Sequence, residues 1–199
     1  MFEVLGRSWN LTKLSFGVVR QDKEMLLFPL LAGVFSLLYS FALLFPTVFM
    51  NFGETTMGAL QYVFVFLAYL GLAFIATYFN VCVVFTTKTR FSGGDATFKD
   101  SLQFANSRLS TILAWSMVAA TVGLLLYGLD QLAQRLGGVG EIIITVIRSL
   151  VGMAWSIVTL FVVPVMVYEG VGPQQAIKRS AETLKATWGE SLARHYGLG

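Results

Sequence analysis

Four long apolar stretches, separated by short polar segments, dominate the pattern along the chain. They cover about residues 25–50, 57–87, 111–129 and 141–168. A helix rises about 1.5 Å per residue, so each stretch is close to or longer than the roughly 20 residues that cross a hydrocarbon layer. The pattern predicts an all-α integral membrane protein with four transmembrane helices arranged as two hairpins.

Three polar segments carry apolar residues at helical spacing, at about residues 2–20, 97–109 and 173–194. An apolar stripe opposite a basic polar face is typical of a helix that lies in the membrane interface. For residues 2–20, packing against the protein's own core is an equally good interpretation. The sequence therefore predicts a single membrane domain, residues 1–199, in which an interfacial amphipathic helix leads each hairpin and a third closes the chain.

Short matches between these polar segments suggest an internal repeat. Arg7-Ser-Trp-Asn-Leu-Thr-Lys13 resembles Arg179-Ser-Ala-Glu-Thr-Leu-Lys185, and Phe98-Lys-Asp-Ser101 resembles Ile177-Lys-Arg-Ser180. We interpret the unit as an interfacial helix, a span, a short outer turn and a second span. A third hairpin would then follow residue 199, so we expect the natural chain to continue. A coincidence between amphipathic helices is the alternative.

The number of charged residues indicates the class of protein, and their distribution along the chain indicates its orientation. Only 13% of residues are charged and 56% are hydrophobic, with a mean hydropathy of +0.71, whereas a soluble domain has about 25% charged residues. The segments 1–24, 88–109 and 169–199 each hold four Lys or Arg residues, while the opposite loops hold only Arg135. Cytoplasmic loops are enriched in Lys and Arg. We therefore predict a multi-pass inner-membrane protein with both termini of this chain and its three interfacial helices on the cytoplasmic side.

Two polar residues stand out inside the predicted spans. Arg148 is the only charged residue in the interior of a span, and Asn80 is the most polar residue of the second span. Arginine in hydrocarbon is costly, so it should reach the interface, pair with an acid or line a wet cavity. Glu141, Asp130 and Asn80 are its candidate partners. Arg148 and Asn80 are therefore a candidate buried polar site, with simple pairing favoured over a functional cavity.

Basic residues of the interfacial helices are candidates for contact with lipid headgroups, namely Lys99, Lys178, Arg179 and Lys185. Thr97 and Asp100 fit the [ST]-x-x-[DE] pattern of a capped helix start. Such a start could also hold a lipid phosphate, although an ordinary cap is favoured. Basic residues beside spans are explained by topology and anionic lipid, so we expect the bilayer and its anionic lipids as partners, and no nucleic acid.

Residues suited to catalysis are scarce. His195 is the only histidine, which leaves no histidine cluster for a metal or a catalytic triad. Cys82 lies within a predicted span, where an apolar environment disfavours the thiolate, and is interpreted as a core residue. Apart from Glu141 at the first position of the fourth span, no span contains an acidic residue, and no glycine-rich phosphate loop is present. We therefore predict no catalytic residue, no metal and no cofactor.

Several motifs resemble an uncharacterised family of polytopic bacterial and archaeal membrane proteins. They are Ser8-Trp9 with Lys13 and Pro29, the segment Phe91-Ser-Gly-Gly-Asp-Ala-Thr97, and above all the segment from Val163 to Ser180 that runs on to Thr187-Trp-Gly-Glu190. That family is similar in layout to the membrane domain attached to some glycerophosphodiester phosphodiesterases. The resemblance implies a six-span α-helical protein and supplies no activity. The catalytic domain of the phosphodiesterase has no counterpart here.

Two functions fit these features. The first is a non-enzymatic inner-membrane scaffold or accessory subunit, whose partners are other membrane subunits or further copies of the chain. It follows from the absence of catalytic groups and from small residues that favour close helix packing. The alternative is a lipid- or solute-handling protein, such as a small carrier or channel, which would use Arg148 and Asn80 as its polar elements. A membrane enzyme ranks last.

Overall fold

The part of the chain that the structure describes is built from seven α-helices and one short 3₁₀ helix. The structure is a computed structural model that describes the backbone of residues 23–49 and 59–196 and the side chains of residues 24–45 and 61–186. The predicted helix at residues 2–20 lies outside the described residues. After the 3₁₀ helix Lys23–Leu26, the helices are α1 (Leu27–Phe49), α2 (Ala59–Phe91), α3 (Phe98–Ser107), α4 (Leu109–Leu136), α5 (Gly138–Val158), α6 (Val162–Glu169) and α7 (Pro173–Tyr196).

Four helical segments are long and apolar enough to cross a membrane, which confirms the prediction of an all-α chain with four such segments. They are Glu24–Phe45, Gln61–Phe91, Leu109–Leu136 and Gly138–Glu169. At most 28% of the most apolar part of each segment is buried inside the fold. So much outward-facing apolar surface is compatible with a multi-pass membrane protein and is rare on a soluble monomer.

Helix α2 is the central helix, since it packs against α1, α3, α4 and α6. Glycines allow aromatic rings from α1 and α2 to lie flat against the neighbouring helix. The Tyr39 ring covers Gly71, where a β-carbon would collide with it, and its hydroxyl donates to the Leu67 carbonyl at 2.7 Å. The Tyr69 ring packs less tightly against Gly123, where a β-carbon would lie 3.0–3.2 Å from the ring atoms. These contacts fix how closely α1 and α4 approach α2.

The turn between α4 and α5 is shorter than the sequence suggested. The predicted third span ended near residue 129 and the fourth began near 141, but α4 continues to Leu136 and only Gly137 separates it from α5. Gly137 and Gly138 have φ values of +61° and +53°. Glycine adopts this left-handed region at little cost, so two glycines reverse the chain without a longer loop.

The fourth predicted span, residues 141–168, is two helices rather than one. Helix α5 ends at Val158 and α6 begins at Val162. Pro164 explains the break because it has no amide hydrogen and its ring clashes with the carbonyl four residues earlier, at Leu160. Five of the eight residues of α6 are buried, whereas α5 has no buried residue. Helix α6 is therefore part of the core, and α5 lies at its margin.

Buried residues concentrate where α1, α2 and α4 meet α3, α6 and α7. We call this region the core end and define it as Phe28, residues 77–120 and residues 162–184. Its fully enclosed side chains include Phe28, Val81, Cys82, Ile112 and Val162. Among described residues outside it, only Ala133 is buried. The hydrophobic effect of water drives apolar side chains into a protein interior. Lipid tails do not, because they are as apolar as the side chains themselves.

Candidate functional site

Arg148 forms an ion pair with Asp130 between α5 and α4. Its Nε lies 3.0 Å from Oδ1 of Asp130, and the two side chains are 43% and 40% exposed. The Nε atom itself is enclosed, and its N–H does not point at an acceptor within hydrogen-bonding angles. The contact is therefore an ion pair rather than a linear hydrogen bond. The terminal guanidinium nitrogens make no hydrogen bond to another described residue.

Asp130 is thus the partner among the three that the sequence offered. It belongs to α4 because that helix is longer than predicted, and the antiparallel α4–α5 pair brings it opposite Arg148. Glu141 is exposed in the first turn of α5. Neither Glu141 nor Asn80 forms an ion pair or hydrogen bond with Arg148.

Asn80 lies on the exposed surface of α2 and forms no ion pair or hydrogen bond with Arg148, so the fold does not bring the two candidate residues together. Helix α3 folds back along the last turns of α2, as two hydrogen bonds demonstrate. The Tyr78 hydroxyl donates to Asn106 at 2.9 Å, and the Thr86 and Ser101 hydroxyls are 2.7 Å apart. Asn80 comes two residues after Tyr78, roughly 200° around the helix, which places it on the side of α2 away from α3.

Carboxylates of the protein accept hydrogen bonds from the backbone amides at the start of α3. Asp100 N–H donates to the Thr97 hydroxyl at 3.2 Å, and the Thr97 amide donates to the Asp100 carboxylate at 3.0 Å, which completes the predicted capping box. The Phe98 amide donates to Glu24 at 3.1 Å. Hydrogen bonds from the Thr97 hydroxyl and amide lower the pKa of Asp100. These carboxylates take the donors that a lipid phosphate would use.

The four candidate headgroup contacts are all exposed, but they differ in charge pairing. Arg179 lies 3.5 Å from Glu169 and 3.3 Å from Glu182, so its charge is partly neutralised. Lys99, Lys178 and Lys185 form no ion pair with another described residue. The three lysines are therefore the better candidates for contact with anionic lipid.

Lys88 has a structural role that the sequence reading missed. Its Nζ donates to the carbonyls of Val167 at 3.2 Å and Tyr168 at 3.4 Å, and lies 5.1 Å from the centre of the Tyr168 ring. Those carbonyls end α6, where Gly170 closes the helix with φ +69°. A cation is favourable at the negative end of a helix dipole. Lys88 thereby ties the end of α2 to the end of α6.

Two buried serines join the short helices to the longer ones. The Ser180 hydroxyl of α7 donates to the Val158 carbonyl and accepts from the Phe161 amide at 3.2 Å, so it bonds both sides of the break between α5 and α6. Ser101 of α3 bonds to Thr86 of α2. These are the two serines matched in the proposed repeat. The repeat itself stays a prediction, and the Lys-x-Ser match was the signal that could have singled out both serines.

An open apolar groove of about 410 Å³ runs between α4 and α5. Eight apolar side chains line it: Val122, Leu125, Leu126, Leu129, Val151, Ala154, Trp155 and Val158. Trp155 stacks on Trp115, with ring centres 5.8 Å apart. At the other end, Leu129 immediately precedes Asp130, and Val151 lies less than one turn after Arg148. The ion pair therefore stands beside one end of the groove.

Ligands for a metal do not come together in the described part of the chain. No group of three or more His, Cys, Asp or Glu residues there is placed to hold an ion. Cys82 is fully buried in the core end. His195 lies outside the described side chains.

A model of a family of unknown function, DUF6159, matches residues 59–199, which include α2 to α7. No curated protein and no solved structure matches the chain. The family match supports the resemblance to an uncharacterised family, while the likeness in layout to a phosphodiesterase membrane domain stays a prediction. Because the match covers most of the chain, the protein belongs to the family of unknown function DUF6159.

Proposed function

We propose that the protein is a non-enzymatic integral protein of the inner membrane and serves as a scaffold or accessory subunit of a membrane complex. The observation that supports this function best is the surface of α5. This helix has 21 residues and none is buried. Most of its surface is therefore available to lipid or to the helices of other subunits.

A stripe of small and polar residues on α5 favours a protein neighbour over lipid alone. Thr145, Ser149 and Ser156 are exposed and lie on one side of the helix, beside the face that contacts α4. Polar side chains form no favourable interaction with lipid tails. Small residues, in contrast, let two helix backbones approach closely. We call these three residues the α5 stripe. A membrane helix of a partner subunit, or of a second copy of this chain, would pack against it.

The membrane arrangement that we propose has the core end on the cytoplasmic side. The basic residues of segments 88–109 and 169–199 belong to this end, while Arg135 lies near the opposite turn. Four spans in two hairpins, α1–α2 and α4–α5, would cross the bilayer. Helices α3 and α7 would lie at the cytoplasmic interface, with Lys99, Lys178 and Lys185 towards anionic headgroups.

Solute transport is the weaker alternative. A carrier or channel for a polar solute needs polar groups along its pathway. The groove between α4 and α5 is lined by apolar side chains alone, and Asn80 and Arg148 lie apart. This geometry favours a packing role over a solute pathway at these residues.

The accessory-subunit function is tested by extracting the protein gently from its own membrane and measuring the intact complexes by native mass spectrometry. We expect a partner subunit, or a second copy, at fixed stoichiometry. Ser149→Leu places a bulky side chain in the α5 stripe and should reduce the complex about tenfold, which corresponds to about 1.4 kcal/mol.

The matched control is Ile143→Phe, which adds bulk at an exposed position on another side of α5. This variant should retain the complex. A wild-type chain that is always recovered alone, or equal loss of the complex in both variants, would contradict the proposal.

A further inference from the structure

We propose that the groove between α4 and α5 binds one acyl chain of a phospholipid, and that the phosphate of this lipid contacts Arg148. The site goes beyond the accessory-subunit function and uses different residues from the α5 stripe. It rests on the juxtaposition of an apolar groove with a guanidinium group whose terminal nitrogens have no partner among the described residues.

The shape and lining of the groove suit a hydrocarbon chain. Its volume of about 410 Å³ falls within the usual range of small-molecule sites. From Val122 to Leu129 it extends for two helical turns, about 10 Å. The lining has no polar side chain, so a polar ligand would lose its hydration there without gaining hydrogen bonds. An acyl chain has no such cost.

Trp155 and Ala154 shape the α5 side of the groove. The Trp155 ring is held by its stacking on Trp115 of α4, so it forms a rigid wall. Ala154, with its small side chain, leaves the space open beside it. A flexible chain that lies against this wall gains many dispersion contacts at once.

Arg148 places a cationic group beside the apolar groove, and this group attracts the phosphate of a lipid headgroup. Asp130 holds the Nε side of the guanidinium at 3.0 Å and so fixes its orientation. The remaining N–H donors lie on the terminal nitrogens, which form bidentate hydrogen bonds with phosphate oxygens especially well. Because Asp130 offsets the charge, the phosphate is bound chiefly through directed hydrogen bonds.

The position of Arg148 along α5 agrees with a lipid ligand. It lies ten residues after Gly138, where α5 begins, which places it about 15 Å from that end of the helix. Side chains of a helix slant towards its N-terminus, so the guanidinium extends from this depth towards the Gly138 end, and a lipid phosphate moves inward to meet it. The groove continues from Arg148 towards Val158, deeper into the apolar region. A lipid would thus place its phosphate at the ion pair and its acyl chain along the groove.

The experiment measures lipid retention by native mass spectrometry on the full chain in mild detergent. The delipidated protein is mixed with phosphatidylglycerol or with diacylglycerol that has the same acyl chains. We expect one phosphatidylglycerol to be retained per chain and about tenfold less diacylglycerol, since diacylglycerol lacks the phosphate that accepts hydrogen bonds from Arg148. Equal retention of both lipids would overturn the phosphate contact.

Two pairs of variants locate the site. Arg148→Gln and Ala154→Trp should each lower phosphatidylglycerol retention about tenfold, the first by removing the charged donor and the second by filling the groove. Their controls are Arg135→Gln, which removes an arginine near the end of α4, and Met153→Trp, which adds the same ring at an outward position. Both controls should bind as the wild type does.

The variants also distinguish the lipid site from general adhesion of lipid. Retention that is unchanged in Arg148→Gln and Ala154→Trp, or lowered equally in the two controls, would overturn the proposal. A cooperative thermal unfolding transition close to that of the wild type establishes that each variant is folded. If Arg148→Gln is poorly folded, Arg148→Lys, which keeps a charge but loses the bidentate geometry, should bind at an intermediate level.

Discussion

Single polar side chains decide how the short helices attach to the long ones. Ser180 bonds to Val158 and Phe161 across the break between α5 and α6, and Lys88 bonds to the last carbonyls of α6. Pro164 prevents the two helices from fusing, so their free backbone groups need partners. Ser180 provides one donor and one acceptor in the space of a small side chain. The break is therefore a stable feature rather than a defect.

Replacement of Ser180 with alanine tests this role. Ser180→Ala leaves the Phe161 amide and the Val158 carbonyl without their partner in a buried position, and we expect the free energy of unfolding to fall by about 1–3 kcal/mol. The measurement is chemical unfolding in mild detergent, followed by circular dichroism. Ser156→Ala is the control, because Ser156 is exposed and its hydroxyl bonds only to Gly152 of its own helix. Equal stability of the two variants would contradict the role of Ser180.

At the scale of elements, α3 is polar and short, and it depends on its ends and on α2 for stability. Its sequence is too polar to cross a membrane. The side chains of Ser101 and Ala105 are buried in the core end. The capping box of Thr97 and Asp100 satisfies the first amides of the helix. Phe104 of α3 stacks on Phe85 of α2, with ring centres 4.3 Å apart, and this contact holds α3 against α2. Local and tertiary contacts thus act together on one helix.

The capping box predicts a pH dependence. The pKa of Asp100 is lowered in the folded state, so the carboxylate stabilises the fold above its unfolded pKa of about 3.9. This contribution is lost as the pH falls from that value through the folded pKa, because protonation removes the acceptor. Thermal unfolding in detergent should therefore show a larger acid-induced fall in midpoint for the wild type than for Asp100→Asn. Asp95→Asn, which leaves the box intact, should behave as the wild type does, and an identical fall in Asp100→Asn would disprove the effect.

At the scale of the whole molecule, the two ends differ in how they are held together. The core end contains nearly all buried side chains, together with Ser101, Ser180 and Lys88. The other end has wide apolar faces, including Ile142, Ile143 and Leu125. An end that meets water must bury its apolar groups, and an end within lipid need not. This contrast supports a placement of the core end at a surface that meets water; the proposal that this surface is cytoplasmic depends on the distribution of Lys and Arg.

Cysteine labelling in intact cells tests that placement. Cys82 is fully buried, so the unmodified chain serves as the unlabelled background. With a membrane-impermeant maleimide, Arg135→Cys should be labelled in intact cells, and Lys99→Cys only after lysis, because basic segments stay in the cytoplasm. Total labelling after lysis corrects for differences in expression. Labelling of Lys99→Cys from outside would reverse the proposed orientation.

Some features could be predicted because they depend only on neighbouring residues. Thr97 and Asp100 start α3, Pro173 begins α7, and Gly93 with φ +78° follows the end of α2. A cap, a proline and a left-handed glycine each act within one turn of the chain. The candidate site was harder to predict. Arg148 had three possible partners, and only the antiparallel packing of α4 and α5 selects Asp130.

By itself, the sequence determined the all-helical class, the four apolar segments and the starts of α3 and α7, because hydropathy, length, a cap and a proline act locally along the chain. Only the tertiary structure decided that Asn80 and Arg148 lie apart, that buried serines bond the short helices to the long ones, and that a groove lies next to Arg148. The physical reason is that burial, pairing and cavities depend on which faces of distant helices meet. Because the spans are apolar on nearly every side, hydropathy does not indicate which faces of two helices pack together. Contacts at glycines, between aromatic rings and through buried hydroxyls determine that packing.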